Sequence, residues 1–158
     1  MDAITVREAT RRDLSAIASL WIELALFHAK REKSFRLGPN AKAKFAKHQN
    51  ESFGRENTRI AVTEHRGKII GYCSMRIDAI PPMFDRTARV GQIVDMCVTA
   101  RCRRHGVGRL LFGDARAWFR SQGIDRIEVV FAKANEISTA FWLGLGFKEF
   151  TEKRYLEI

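Results

Sequence analysis

Apolar and polar positions alternate from Ala3 to Glu8, where Ile4 and Val6 are set between Thr5 and Arg7, the period of a strand with one buried face. After Thr10 the period changes. Leu14, Ile17, Leu20, Trp21, Leu24 and Phe27 recur at helical spacing through residue 31, and Thr10 or Asp13 is placed to cap that helix. The stretch from Glu32 to Asn57 is basic and less regular, with a break at Gly38-Pro39-Asn40 and a short helix over Ala41 to Gln49. Arg59 to Glu64 and Lys68 to Ile77 read as two strands joined by a tight turn at His65-Arg66-Gly67, a β-hairpin. Pro81-Pro82 stops the second strand, and the loop from Asp78 to Arg89 has the length of a lid or binding loop.

Val90 to Val98 reads as a buried strand. Val107 to Ser121 follows as an amphipathic helix, with Leu110, Leu111, Ala115, Trp118 and Phe119 on its apolar face and Gly123 as its stop. Arg126 to Ala132 is strand-like through Ile127, Val129, Val130 and Phe131, Glu136 to Leu145 is a short helix, and Lys148 to Glu157 is expected to close the chain as a strand carrying Phe150, Tyr155 and Leu156. The order β-α-α-β-β-β-α-β-α-β predicts an α/β (α+β) fold, a mixed sheet with helices on its faces.

A length of 158 residues suits one domain, residues 1–158, with a single core. Hydrophobic content of 46% beside 29% charged residues excludes a disordered or collagen-like chain. The apolar run from Leu20 to Phe27 is interrupted by Glu23 and begins too late for a signal peptide, so a cytoplasmic protein without a membrane partner is expected. Cys73, Cys97 and Cys102 form no C-x-x-C pair, which argues against a disulfide framework and a zinc site. Cys97, on a central strand, reads as a small buried hydrophobe or as a nucleophile. The net charge of +10 is uneven: residues 1–58 carry 11 basic and 7 acidic groups, 59–110 carry 10 and 4, and 111–158 carry 7 of each. Such a balance steers a polyanionic cofactor, an acidic substrate or nucleic acid, or simply solvates the surface.

The basic excess centres on Arg103-Arg104-His105-Gly106-Val107-Gly108, between the strand ending at Val98 and the helix ending at Ser121. A strand, a glycine-bearing turn and a helix in that order gather free backbone N–H groups and a positive helix end at one point, which makes an anion site. Gly106 and Gly108 have no Cβ to hold a phosphate away from the backbone.

This turn resembles the acetyl-CoA signature R/Q-x-x-G-x-G/A of the GNAT N-acetyltransferase superfamily. Asn135, 27 residues past Gly108, opens a run through Phe141-Trp142-Leu143-Gly144-Leu145-Gly146-Phe147 that is similar to the family's second signature, N-x-x-A-x-x-(F/L)-Y-x-x-x-G-F. The resemblance implies a GNAT-type mixed, mostly antiparallel twisted sheet with splayed central strands and helices on both faces. It also implies acetyl-CoA as cosubstrate and an amine acceptor, and it admits a homodimer. The backbone of Arg103, Arg104, His105, Gly106, Val107, Gly108 and Arg109 would bind the pyrophosphate. Met96, Cys97 and Val98 would pair with the pantetheine as an added strand does, and the backbone N–H of Met96 would stabilise the oxyanion. Asn135, Ser138, Phe141 and Trp142 would line the pantetheine and sulfur end.

An amine acceptor must lose a proton, since its ordinary pKa is roughly 10. Gln92 stands where one branch of the family keeps its base and cannot titrate. Asp95, the acid on that strand, reads as general base, as amine anchor or as a structural ion-pair partner, with Glu23 and Glu64 as fallbacks. His28 and His48 read as surface or packing residues. Trp142 replaces the family's usual tyrosine acid, and an indole N–H is no proton source; water, Ser138 or Tyr72 would then serve.

The resulting expectation is an N-acetyltransferase moving an acetyl group from acetyl-CoA directly to a primary amine, with a small-molecule acceptor favoured. A protein or peptide amine is an alternative, as is a catalytically weak CoA-binding sensor prompted by Gln92 and Trp142. Nucleic acid is disfavoured, because the basic residues are not interleaved with an aromatic platform.

Overall fold

The computed structural model of the protein describes residues 3–83 and 88–158. Its strands are β1 (Thr5–Glu8), β2 (Thr58–His65), β3 (Lys68–Ala79), β4 (Arg89–Val98) and β5 (Ile127–Val129). The helices are α1 (Leu14–Ala29), α2 (Ala41–Ser52), α3 (Val107–Ser121) and α4 (Glu136–Leu143). The strands form one five-stranded sheet in the order β1-β2-β3-β4-β5, antiparallel except where β4 and β5 run parallel. This is the mixed sheet expected from the order of elements, and it is mostly antiparallel, as the resemblance implies.

Local chemistry sets the element ends. Asp13 accepts from the Thr10 backbone N–H at 2.8 Å and takes a two-pronged bond from Arg7 at 2.8 and 2.9 Å, which fixes the entry into α1. The Arg7 guanidinium bonding that carboxyl, more than any other influence, brings its pKa down to about 2. The β2–β3 hairpin turns through Arg66 and Gly67 at φ 52° and 71°, the left-handed pair that a two-residue turn between twisted strands requires.

Side chains of successive strand residues point to opposite faces and build two cores. Beneath α1 and α2, Ile17, Ala18, Leu20 and Phe45 meet Ile60, Val62, Tyr72 and Cys97. Beneath α3 and α4, Leu111, Phe112, Ala115, Phe119 and Trp142 meet Ala61, Cys73, Met75, Ile77 and Ile93. Phe119 is fully buried, and removing a side chain of that size from water stabilises a fold by about 1.5–3 kcal/mol. It lies so close to Gly91 that a Cβ there would come within 2.6 Å of its ring.

Strand β4 departs from regularity in two ways. Its register against β3 jumps from Ser74↔Asp95 to Met75↔Ile93, so Val94 is an extra, bulged residue. Without it Ile93 and Asp95 would share a face. With it, Ile93 packs under α3 while Asp95 turns with Ser74 toward α1 and α2, where Ser74 Oγ donates to Gln49 at 3.2 Å. The second irregularity is a divergence: β4 pairs with β5 only through Gly91↔Ile127, Gln92↔Glu128 and Ile93↔Val129, and beyond that point the strands separate.

The expected strand over Arg126 to Ala132 is therefore short, and Val130 is exposed. The closing strand expected over Lys148 to Glu157 is absent: residues 148–158 have no regular structure and all are exposed. The physical reason is in the spacing. Phe150 and Leu156 would fall on one face of a strand and Tyr155 on the other, so neither face has an apolar row to bury. Of the long loop before β4, Phe84 to Thr87 lie outside the described residues.

Candidate active site

The connection from β4 to α3 ends in an uncapped helix. Arg104 and Gly106 have positive φ, 66° and 81°, and no side chain accepts from the first N–H groups of α3. These donors are left for a ligand. Gly108 sits beneath Phe141, whose ring would lie 3.1 Å from an added Cβ.

The turn is fixed from outside by Glu23 of α1, which accepts from Thr99 Oγ1 at 3.0 Å, the Ala100 N–H at 2.7 Å and Arg103 Nη2 at 3.2 Å. Arg103 also donates through Nε to the Val98 carbonyl at 2.8 Å. Its guanidinium is thus committed to holding strand, turn and helix together. His105 Nδ1 lies 2.7 Å from the Arg103 carbonyl, and its side chain is exposed.

A cavity of about 460 Å³ runs from this turn into the gap where β4 leaves β5. It is lined by Met96, Cys97, Val98, Arg103, Arg104, Gly106, Gly108, Arg109, Asn135, Ser138, Phe141 and Trp142, and by Asp95. His105 and Val107 do not line it; Val107 is buried in the packing below. The α1 side contributes Leu24, Phe27 and His28, which share one helix face.

Asp95 carries the electrostatic interest. Burial alone pushes its pKa up to about 6, and among the described residues no donor reaches its carboxylate. Glu23 is occupied by the turn, and Glu64, two strands away from β4 and outside the lining, accepts from Arg7 Nε at 3.1 Å. Gln92 donates to Glu128 at 3.2 Å and is not part of the lining. The Cys97 thiol is pushed up to about 12, chiefly by burial, and donates to the Leu20 carbonyl at 3.4 Å, so it is a packed thiol and no thiolate nucleophile.

Tyr72 is fully buried, its hydroxyl has no hydrogen-bond partner among the described residues, and it does not line the cavity. The expectation that Tyr72 reaches in is corrected: β3 lies one strand further from the gap than β4, and there the ring is packed in the core against Phe45 at 6.5 Å between centroids. Trp142 packs edge-on against Phe112, Phe141 and Phe147 at 6.1, 4.9 and 5.1 Å between ring centroids.

His28, read from the sequence as a surface or packing residue, lines the cavity. Its Nε2 lies 3.0 Å from Asn135 Nδ2, which links α1 to the start of α4. The signal for it was its place on the Leu24–Phe27 face, but only the tertiary fold shows that this face looks into the gap. Asn135 itself caps α4, accepting the Ser138 N–H at 3.1 Å through Oδ1.

The whole architecture recurs in solved structures. A tetramutant of the BH1408 protein from Bacillus halodurans superposes with a TM-score of 0.84 at 24% identity, covering 98% of this chain and 99% of that one. The aminoglycoside antibiotic 6'-N-acetyltransferase AAC(6')-IG from Acinetobacter haemolyticus gives 0.77 at 18% identity, with 98% and 97% covered. A predicted acetyltransferase from Clostridium acetobutylicum, solved with acetyl-CoA, gives 0.78 at 18% identity, with 98% and 96% covered. At these identities the likeness establishes the fold. No curated protein sequence matches the chain. The family model described as Acetyltransferase (GNAT) family matches residues 20–147, most of the chain from α1 through the end of the aromatic cluster, and the protein belongs to that family.

Proposed function

We propose that residues 1–158 act as one acetyltransferase domain that moves an acetyl group from acetyl-CoA directly to a primary amine of a small molecule. The observation that carries this reading is the continuity of the cavity: it joins an uncapped helix start, a strand edge without a partner and a carboxylate free of donors.

The residues present fit the cosubstrate. The free N–H groups at the start of α3, with Arg104 and Arg109 beside them, suit a pyrophosphate. Past Ile93 the backbone of β4 has no strand partner on the β5 side, which suits the amides of a pantetheine arm. When bound, acetyl-CoA supplies an activated thioester. Met96, two residues past the bulge, would offer its backbone N–H to stabilise the oxyanion. Asp95, ionised above about pH 6, accepts the proton of the ammonium as the amine becomes nucleophilic. Leu24 and Phe27 wall the α1 side, and together with the volume of about 460 Å³ they favour a small acceptor over a protein segment.

A second reading is supported by a specific pair of observations. Trp142 has no acidic hydroxyl, and Tyr72 does not line the cavity, so the departing thiolate lacks a tyrosine proton donor. A CoA sensor without turnover would need none.

The test is thermal stability with acetyl-CoA and with CoA, for wild type and Gly108→Trp, followed by CoA release over a panel of amines. A ligand at about 100 times its Kd stabilises the native state by about 2.7 kcal/mol. The expected result is a rise in Tm for wild type that a folded Gly108→Trp loses. No rise in wild type overturns the acetyl-CoA reading; a rise without acetylation of any amine favours the sensor.

A further inference from the structure

We propose that His28 is a positioning residue for acetyl-CoA binding: its neutral imidazole accepts a hydrogen bond from Asn135 and so holds α1 and α4 at a set separation across the gap in the sheet. The proposal rests on the acetyl-CoA reading of the cavity given above.

Asn135 is 3% exposed, and its Oδ1 is committed to the Ser138 N–H at the start of α4. That commitment decides which end of the amide faces α1. It is Nδ2, a donor only, at 3.0 Å from His28 Nε2. A donor facing a ring nitrogen needs a lone pair there, so His28 is uncharged and carries its proton on Nδ1. The surroundings agree. Burial and the charge of Arg31 both lower the His28 pKa from its ordinary value. The ring packs against Phe35 at 5.4 Å and Phe27 at 6.0 Å between centroids. The charged group that acts on it is Arg31 on its own helix; Asp95 on β4 and Arg103, Arg104 and Arg109 around the turn line the same cavity.

Protonation would set an Nε2–H against the Asn135 NH₂, donor against donor. Either Asn135 rotates and gives up the Ser138 cap, or α1 and α4 part. Because both side chains line the cavity, affinity for CoA is lost as pH falls through the His28 pKa. Asp95 protonates as pH falls through about 6 and acts with the opposite sign, since losing its negative charge favours an anionic ligand. The phosphate of CoA titrates there as well, so wild type alone does not isolate the histidine.

His28→Gln does isolate it. The glutamine oxygen can accept from Asn135 at any pH, while Asp95 and the ligand are unchanged. His28→Leu removes the acceptor. CoA affinity is measured by calorimetry on the whole protein at about pH 8 and about pH 5, and the His28 ring nitrogens are observed by NMR without ligand.

At the higher pH the Gln variant is expected to match wild type, and the Leu variant to bind about five- to tenfold more weakly, the effect of one buried hydrogen bond. On acidification wild type should lose about five- to tenfold more affinity than the Gln variant. NMR should show Nε2 without a proton at the higher pH. A Leu variant that binds as wild type does at both pH values, or a protonated Nε2 in the neutral ring, overturns the proposal. Failure of wild type to bind CoA at all overturns the acetyl-CoA reading on which it rests, and the NMR result then still decides whether Nε2 is the acceptor.

Discussion

The two halves of β4 have the same neighbour on one side and opposite circumstances on the other. From Gly91 to Ile93 the strand is paired to β3 and to β5; from Asp95 to Val98 it is paired to β3 alone and borders the cavity. Backbone N–H and C=O groups must be satisfied wherever they are buried. In the first half the sheet satisfies them, and the strand contributes stability. In the second half the sheet leaves them unpaired on the β5 side, and the proposed function assigns them to recognition. The bulge at Val94 lies at the boundary and turns Asp95 off the face that Ile93 occupies.

Substitutions on either side of that boundary should separate rate from stability. The largest effect is expected for Asp95→Asn, which should lower kcat/KM for the amine by about 10²–10⁴-fold, the range of a lost general base, with acetyl-CoA affinity retained. In wild type the rate should fall on the acidic side of about pH 6, and the variant should lose that limb. Rates of CoA release across pH would check both.

The same variant should gain stability. Because burial raises the carboxyl pKa from 3.8 to about 6, folding favours the protonated form, and stability declines as pH rises between those values. Asp95→Asn removes that penalty. It should be more stable than wild type above about pH 6 by at most about 3 kcal/mol, and no different below about pH 4, as urea unfolding would show.

On the paired side of the boundary, Gly91→Ala places a methyl 2.6 Å from the Phe119 ring and should cost about 1–3 kcal/mol of stability while CoA affinity at saturating folded protein is unchanged. Altered affinity with unaltered Tm would contradict the division of labour. The smallest effect is expected at Asn135→Ala, which removes the cap of α4 and about 1 kcal/mol of stability. There the loss of affinity should exceed what the small loss of stability would suggest.

Most of the fold was legible because it is written in local periods. Leu14 to Phe27 repeats as a helix and appears as α1, and the hairpin turn was marked by His65-Arg66-Gly67. The glycine-bearing turn before α3 was legible for the same reason: its arginines, glycines and helix start are adjacent in the chain. The bulge was not, because a single added residue among Ile93, Val94 and Asp95 leaves the apolar pattern of β4 unchanged. His28 was not, because its role depends on a helix face meeting a gap between strands more than sixty residues away in sequence, from Ile93 onward. The closing strand was misread at Phe150, Tyr155 and Leu156, where apolar content was mistaken for alternation. Tyr72 was offered as a proton donor because its hydroxyl is chemically suitable, but its face of β3 could not be known before the register was.

The bonds that Glu23 accepts from Thr99, Ala100 and Arg103 make the turn before α3 a composite part. Although its glycines and arginines form one short word in the chain, its shape is underwritten by a residue of the first helix. Such a motif does not transplant: moved alone into another scaffold, the hexapeptide would arrive without its brace. Conversely, drift at the first helix is restrained at Glu23, so a helix that lines the cavity through Leu24, Phe27 and His28 can change only within the limits set by its brace on the turn.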